Sequence, residues 1–306
     1  MTRIKADLLL LLAAVIWGSA FVAQKAGLGT IGPFAFVGGR FALSALLLLP
    51  LVYREARGAP RLSLRDWSIA AGIGAALCAG ATLQQIGLAT TTVTNAGFIT
   101  SLYIAFVPFV AWLIMRTRLR PMVLLAVAVS LLGAWLLAGH GQAAHLTAGD
   151  LIVLVSAILY ALHIVLLSLF MKSMHRPFFL ACGQFAATAV IAGAIGFATE
   201  PVDWRAAQTA LPAMLYTGLL SGGVGYTLQV VAQRYTPATE AALIMSLESV
   251  FAAAAGALWL GDRLTLPATL GCGLILFGVV MIEVIPILSR RGADSADPPI
   301  GTVPLD

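Results

Sequence analysis

The chain has 306 residues, of which 60% are hydrophobic and only 10% charged, with a formal net charge of +5. A soluble domain carries roughly a quarter charged residues, so this composition and the mean hydropathy of +0.97 exclude a water-solvated fold and point to lipid as the solvent. The positive balance is not a nucleic-acid footprint, because the Lys and Arg residues sit in short breaks between apolar runs and there act as orientation signals.

About 20 apolar residues are needed to cross a bilayer core as a helix. Ten such segments are predicted, at 8–27, 33–53, 67–89, 95–115, 121–139, 148–171, 178–199, 209–232, 238–260 and 266–288. The first comes after Arg3 and Lys5. Its length and the closeness of the next segment predict a retained helix rather than a cleaved leader. It carries Trp17, ten residues past Asp7 and too deep for an interfacial anchor. The second opens at Pro33 and holds Arg40 some seven residues in. The third holds Gln84 and Gln85. The fourth holds Asn95, Thr100, Ser101, Tyr103 and then Pro108, which frees a carbonyl and predicts a kink.

His140 and His145 flank the loop after the fifth segment and are expected to be solvated. The sixth segment carries Tyr160, ten residues past Asp150, and His163. The seventh carries Gln184. The eighth combines Gly218, Ser221, Gly222, Gly223 and Gly225 with Tyr226 and Gln229, so Gly222 and Gly223 are candidates for close packing or a gating hinge. The ninth holds Glu240, which with Asn95 reads as a helix-start residue, and Glu248, about ten residues in and near mid-membrane. Pro121, Pro177, Pro237 and Pro267 fall at or near helix starts, where a missing N–H costs little. The tail, 289–306, is polar and Pro-rich and reads as disordered. Cys78, Cys182 and Cys272 lie inside apolar segments and form no disulfide or metal pattern.

The chain also repeats itself. Residues 82–119 align without a gap on 227–264 at an offset of 145, matching Leu83-Gln84 with Leu228-Gln229, Thr94 with Thr239, Ser101-Leu102 with Ser246-Leu247 and Phe106 with Phe251. Upstream the offset is 143, pairing Asp7 with Asp150 and Trp17 with Tyr160. Tyr103 and Glu248 are mates, as are Asn95 and Glu240. With the N-terminus inside, the inner segments hold Arg3, Lys5, Arg54, Arg57, Arg61, Arg65, Arg116, Arg118, Arg120, Lys172, Arg176, Arg234, Arg290 and Arg291. The outer ones hold only Lys25, Arg205 and Arg263. The positive-inside rule therefore places both termini in the cytoplasm. Five spans per half, an odd number, force the second half to enter inverted, and such chains place substrate near the midplane between the halves. The expected fold is an all-α integral membrane protein of ten helices, as two inverted five-helix repeats (1–141 and 142–288) around a central cavity.

Charged and polar groups inside a bilayer are costly, and mark function first. Trp17, Arg40, Gln84, Tyr103, Tyr160, His163, Tyr226, Gln229 and Glu248 are the candidate cavity residues, with Glu248 suited to an ammonium or a coupling proton and Arg40 to a carboxylate. Pro108, Gly222 and Gly223 are the hinge candidates. No Walker-type phosphate loop, zinc-helix motif or nucleophile elbow occurs. No cofactor, metal or catalytic residue is expected, nor any nucleic-acid or obligate protein partner. A monomer embedded in membrane lipid suffices.

Ile16-Trp17-Gly18-Ser19-Ala20-Phe21, Arg40-Phe41-Ala42, Asn95 through Pro108, and Ser246-Leu247-Glu248 followed by Gly261-Asp262-Arg263-Leu264 resemble the corresponding helices of the EamA-type transporters of the drug/metabolite transporter superfamily. The chain departs from that pattern at Arg116-Thr117, where an acidic residue is common, and at Ser249, where proline is frequent. The resemblance implies a bacterial inner-membrane exporter of small metabolites, often amino acids, with a subset handling aromatic ones. A nucleotide-sugar or phosphorylated-metabolite exchanger is the alternative within the superfamily, and an integral-membrane enzyme the alternative outside it.

Overall fold

The computed structural model describes residues 1–28, 31–137, 147–171, 174, 176–201, 203–255, 257–258 and 265–283. His140, His145, the Gly261–Leu264 motif and the 289–306 tail lie outside them. The described residues form helices and no strand. In order these are α1 (Arg3–Gly27), α2 (Pro33–Ala56), α3 (Leu64–Leu88), α4 (Val93–Ser101), α5 (Tyr103–Met115), α6 (Pro121–Leu137), α7 (Ala148–Met171), α8 (Pro177–Thr199) and α9 (Trp204–Leu215). A π-helical segment (Tyr216–Tyr226) comes next, then α10 (Thr227–Ala232), α11 (Ala238–Met245), α12 (Glu248–Ala255) and α13 (Leu266–Glu283).

Among the described residues, seven helical stretches are long and apolar enough to cross a membrane, counting 95–115 and 238–255 as single stretches; Pro121–Leu137 and Leu266–Ile282 are apolar but shorter. The segment expected as one helix over 209–232 is instead three consecutive pieces, α9, the π-helical turns and α10.

Large apolar side chains face outward while several polar ones are buried. Phe197 is 80% and Val190 69% exposed, whereas Gln184 and His163 are fully buried. The interior also buries bulky apolar side chains such as Phe36, Phe41 and Phe185, so apolar residues occupy both the core and the outer surface while polar groups such as Gln184 and His163 are kept inside, as expected of a protein solvated by lipid. Pro33, Pro121 and Pro177 open their helices as the missing N–H allows. A Ser63–Asp66 capping box starts α3.

Contacts recur in corresponding pairs. α3 packs on α7 and α8, while the π segment and α10 pack on α1 and the π segment on α2; α2 packs on α8 and α6 on α13. In the antiparallel α2–α8 pair each helix caps the other. Glu55, at the end of α2, accepts from Phe178 N (3.1 Å) and Phe179 N (2.8 Å). Glu200, just past α8, accepts from Phe34 N (2.9 Å) and Ala35 N (2.8 Å). A carboxylate on the free N–H groups of a helix start is favourable on both hydrogen-bond and dipole grounds. Glu55 and Glu200 stand 145 apart in sequence.

Two helices break at matched places. Between α4 and α5, Ser101 Oγ donates to Phe98 O (2.7 Å) and Leu102 N reaches back only to Ile99 O (3.2 Å). Between α11 and α12, Ser246 Oγ donates to Leu243 O (2.7 Å) and Leu247 N to Ile244 O (3.2 Å). A serine hydroxyl bonding the preceding turn competes with the regular ladder, and the chain restarts at Tyr103 in one case and Glu248 in the other. The interruption falls at Leu102, six residues before Pro108, and α5 runs through that proline.

Candidate functional site

The two breaks face one cavity. Its lining comprises Trp17, Ala20, Phe21 and Gln24 from α1, Arg40 from α2, Gln84 from α3, Thr100 and Tyr103 beside the first break, and Tyr160, His163 and Ile164 from α7. Ser221 and Tyr226 come from the π segment, Gln229 from α10, and Met245 and Glu248 flank the second break. All nine sequence-derived cavity residues are therefore brought together. Pro108 is not among them and lines a second, larger space. Gly222 and Gly223 turn away, toward Ser44 and Leu47 of α2.

Some of this lining is tied down. Tyr160 donates to Gln84 Oε1 (3.2 Å), and Gln84 Nε2 donates to Thr100 Oγ1 (3.0 Å), linking α7, α3 and α4. Trp17 Nε1 donates to Ser221 O (3.1 Å), a carbonyl of the π-helical turns. Such turns leave carbonyls off the regular ladder and gather at functional sites. Trp17 also stacks against Tyr226, with ring centroids 4.7 Å apart. Gly225 makes this approach possible, since a methyl there would stand 2.7 Å from Trp17 Nε1. His163 Nε2 lies 2.8 Å from Gln184 Oε1; with that amide oxygen as acceptor, the imidazole donates from Nε2.

Several other polar atoms of the lining are unsatisfied. Gln24 Oε1, Arg40 Nε, Tyr103 Oη, His163 Nδ1, Gln229 Oε1 and Glu248 Oε1 are buried with no hydrogen-bond partner. Buried polar groups are normally paired, and each orphan calls for an explanation. Six around one cavity define a surface suited to a polar ligand or water. Arg40 lies with its guanidinium carbon 5.1 Å from the Phe41 ring centroid and 5.8 Å from that of Phe36. Among the described residues, no carboxylate lies within ion-pair distance of Arg40 and no cation within that distance of Glu248. The cavity thus holds one cation and one acid, both 4% exposed, that do not neutralise each other. As observed it encloses about 40 Å³, space for about two or three waters. A metabolite enters only after the walls separate.

A space of about 670 Å³ lies on the side of the Arg116–Arg120 and Arg234–Pro237 connections, lined by Pro108, Ala111, Ser168, Gln233, Arg118, Arg120 and Glu240 among others. On α5 and α11 the buried residues Ile104, Val107, Ala241 and Ala242 occupy sequence positions between this vestibule and the central cavity. Glu240 is no simple helix-start residue. It pairs with Arg3 (2.5 Å) and Arg120 (3.8 Å), while α4 is capped by Thr92 rather than Asn95.

Gln24 is a polar cavity residue that sequence reasoning did not single out. At the 143-residue offset its counterpart is Leu167, so repeat symmetry gave no signal. Helical spacing did: Gln24 lies seven residues past Trp17, two turns on along the same face. Among the described residues no group of His, Cys, Asp and Glu side chains could hold a metal ion.

The family model described as the EamA-like transporter family matches the chain twice, over residues 4–139 and 147–284. An uncharacterized transporter of Archaeoglobus fulgidus is 32% identical over 284 residues, covering 92% of this chain and 87% of the relative. The uncharacterized transporter YwfM of Bacillus subtilis is 24% identical over 287 residues, 92% of this chain and 94% of that one. A solved crystal structure superposes with a TM-score of 0.76 at 19% identity, covering 95% of this chain and 99% of the other, and shows the fold alone.

Proposed function

The chain belongs to the EamA-like transporter family, and on that premise we propose that it is a secondary transporter exporting small zwitterionic amphiphiles, foremost aromatic and hydrophobic amino acids. The observation that carries the substrate class is the pair of buried side chains of opposite polarity, Arg40 and Glu248, that the cavity leaves unpaired. Arg40 and Glu248 line the same buried space without bonding one another. An α-carboxylate and an α-ammonium would satisfy one each, and Trp17, Tyr103, Tyr160 and Tyr226 supply an aromatic wall for the side chain. A phosphorylated ligand wants several cations, and Arg40 is the single Lys or Arg in this lining.

In this reading the chain is a monomer with no catalytic role. It crosses the bacterial inner membrane ten times with both termini in the cytoplasm, and its halves (1–141 and 142–288) are inverted about an axis in the membrane plane. The repeat correspondence, the basic residues of the inner connections and the paired helix contacts support it. The two halves exchange conformations to expose the cavity to each side in turn. The break-flanking helices, the π-helical glycines Gly222 and Gly223, and Pro108 are where the bending is placed.

The test is uptake of labelled phenylalanine, tryptophan and leucine into liposomes holding the purified protein. Saturable uptake, lost in Arg40→Gln and in Glu248→Gln, is expected. Uptake unchanged in both variants removes the substrate assignment.

A further inference from the structure

Two hydrogen bonds at opposite ends of the bundle use matched residues. At one end Thr236 Oγ1 donates to Asp7 Oδ1 (2.7 Å). At the other Thr91 Oγ1 donates to Asp150 Oδ1. Asp7 corresponds to Asp150 at the 143 offset and Thr91 to Thr236 at the 145 offset. Each bond joins the two halves: an aspartate at the start of α1 or α7 to a threonine after the third or eighth segment of the other half.

Helix α1 measures how far apart these bonds lie. Its first turns carry Asp7, while near its end Lys25 Nζ donates to Leu88 O (2.7 Å) and Thr91 O (2.9 Å). Eighteen residues of helix separate Asp7 from Lys25, about 27 Å. The two bonds therefore sit at the two mouths of the bundle. The helices they tie, α1 and α7, also line the central cavity, through Trp17 and Gln24 and through Tyr160 and His163.

We infer that Asp7–Thr236 and Asp150–Thr91 are the inner and outer latches of the transport cycle, positioning pairs that must open one at a time. This rests on the alternating-access reading above. Both are formed in this structure, in keeping with a central cavity too small for a metabolite. Widening the inner mouth requires α1 to part from the 236–240 segment, and widening the outer one requires α7 to part from the α3–α4 connection.

The latches are reinforced differently. The inner one is joined to an ion-pair chain, with Arg3 bridging Asp7 (3.6 Å) and Glu240 (2.5 Å), and Arg120 reaching Glu240 (3.8 Å). The corresponding outer position is the uncharged Asn95. There Asp150 is instead held by its own helix start, accepting from Thr147 N (2.8 Å) and Thr147 Oγ1 (2.9 Å), and Lys25 bonds backbone carbonyls. The inner latch depends on charges that are partly exposed, since Arg3 has a side-chain exposure of 44%, and salt weakens such pairs. The outer latch is buried, with Asp150 4% and Thr91 6% exposed.

The experiment places a reporter thiol at Ala20→Cys, in the cavity wall, in a chain whose Cys78, Cys182 and Cys272 are replaced by alanine. A membrane-impermeant thiol reagent is applied to right-side-out and to inside-out bacterial membrane vesicles. Thr236→Val, which keeps shape and removes the hydroxyl, is expected to raise labelling severalfold from the cytoplasmic face only. Thr91→Val is expected to raise it from the external face only. Thr236→Ser and Thr91→Ser, which retain the donor, are expected to label as the parent does. Equal gains from both faces, or serine variants that behave as the valines, overturn the latches while leaving transport in place. Valine variants that leave labelling unchanged from both faces also overturn them, and if amino-acid uptake by the unaltered chain fails too, alternating access falls with them.

Discussion

The break after α4 and the break before α12 are built from the same dipeptide, Ser101-Leu102 and Ser246-Leu247, with the same hydroxyl-to-carbonyl bond one turn back. The residue on the far side of each break differs, a tyrosine at 103 and a glutamate at 248. Both head groups are buried, line the cavity and leave an oxygen without a partner. The backbone device is therefore duplicated and the chemistry is not. In the proposed cycle the matched breaks would let the two halves exchange shape, and the unlike pair of side chains would let one cavity grip a ligand whose two ends differ.

The strongest way to break this contrast is to remove the charges. Glu248→Gln and Arg40→Gln are each expected to raise the apparent Kd for phenylalanine by about tenfold to a hundredfold, from the roughly 1.5–3 kcal/mol that a hydrogen bond to a charged group contributes. Isothermal titration in detergent measures it. Tyr103→Phe, at the matched break, removes a neutral hydroxyl and is expected to cost about two- to tenfold by the same titration. If Tyr103→Phe and Glu248→Gln weaken binding equally, the two breaks are chemically equivalent and the contrast fails.

The matched amides sharpen it next. Gln84 is bonded on both sides, to Tyr160 and Thr100, whereas Gln229 has a buried unpaired Oε1. Gln84→Leu is expected to lower stability by about 1 kcal/mol, the scale of interhelical bonds in membranes, seen as a lower Tm with binding little altered. Gln229→Leu is expected to hold its Tm and weaken binding. The smallest effect is expected of Trp17→Phe, which loses the bond to Ser221 O but keeps a ring against Tyr226. A change of about 0.6 kcal/mol in thermal stability is the expected scale, with aromatic substrates disfavoured slightly more than aliphatic ones.

Much of the site was legible because charge and polarity are rare in an apolar chain, so Arg40, Glu248, Gln84, Gln229 and His163 stood out against leucine. The internal duplication then placed Tyr103 opposite Glu248 and Trp17 opposite Tyr160. Gln24 escaped because its counterpart is apolar. The break at Leu102 escaped because proline draws attention to a missing N–H, whereas the interruption is made by the Ser101 hydroxyl competing for Phe98 O. The π-helical turns escaped for another reason. A glycine run announces close approach, here Gly218 against α2 and Gly225 against Trp17, but not the wider hydrogen-bond register that this approach accompanies. Glu240 read as a helix-start residue because its partners, Arg3 and Arg120, lie far away in sequence and meet it only through packing.

The central claim is that Arg40 and Glu248 are the two poles of one zwitterion site, and a competition series tests it most directly. Labelled phenylalanine is bound to the purified protein and displaced by phenylalanine, 3-phenylpropionate or 2-phenylethylamine, in the parent chain and in Arg40→Gln and Glu248→Gln. The parent is expected to prefer phenylalanine over either one-charge analogue by about tenfold or more. Glu248→Gln is expected to lose the preference over phenylpropionate alone, and Arg40→Gln over phenylethylamine alone. Analogues that compete as well as phenylalanine in the parent, or variants that lose both preferences together, would contradict it.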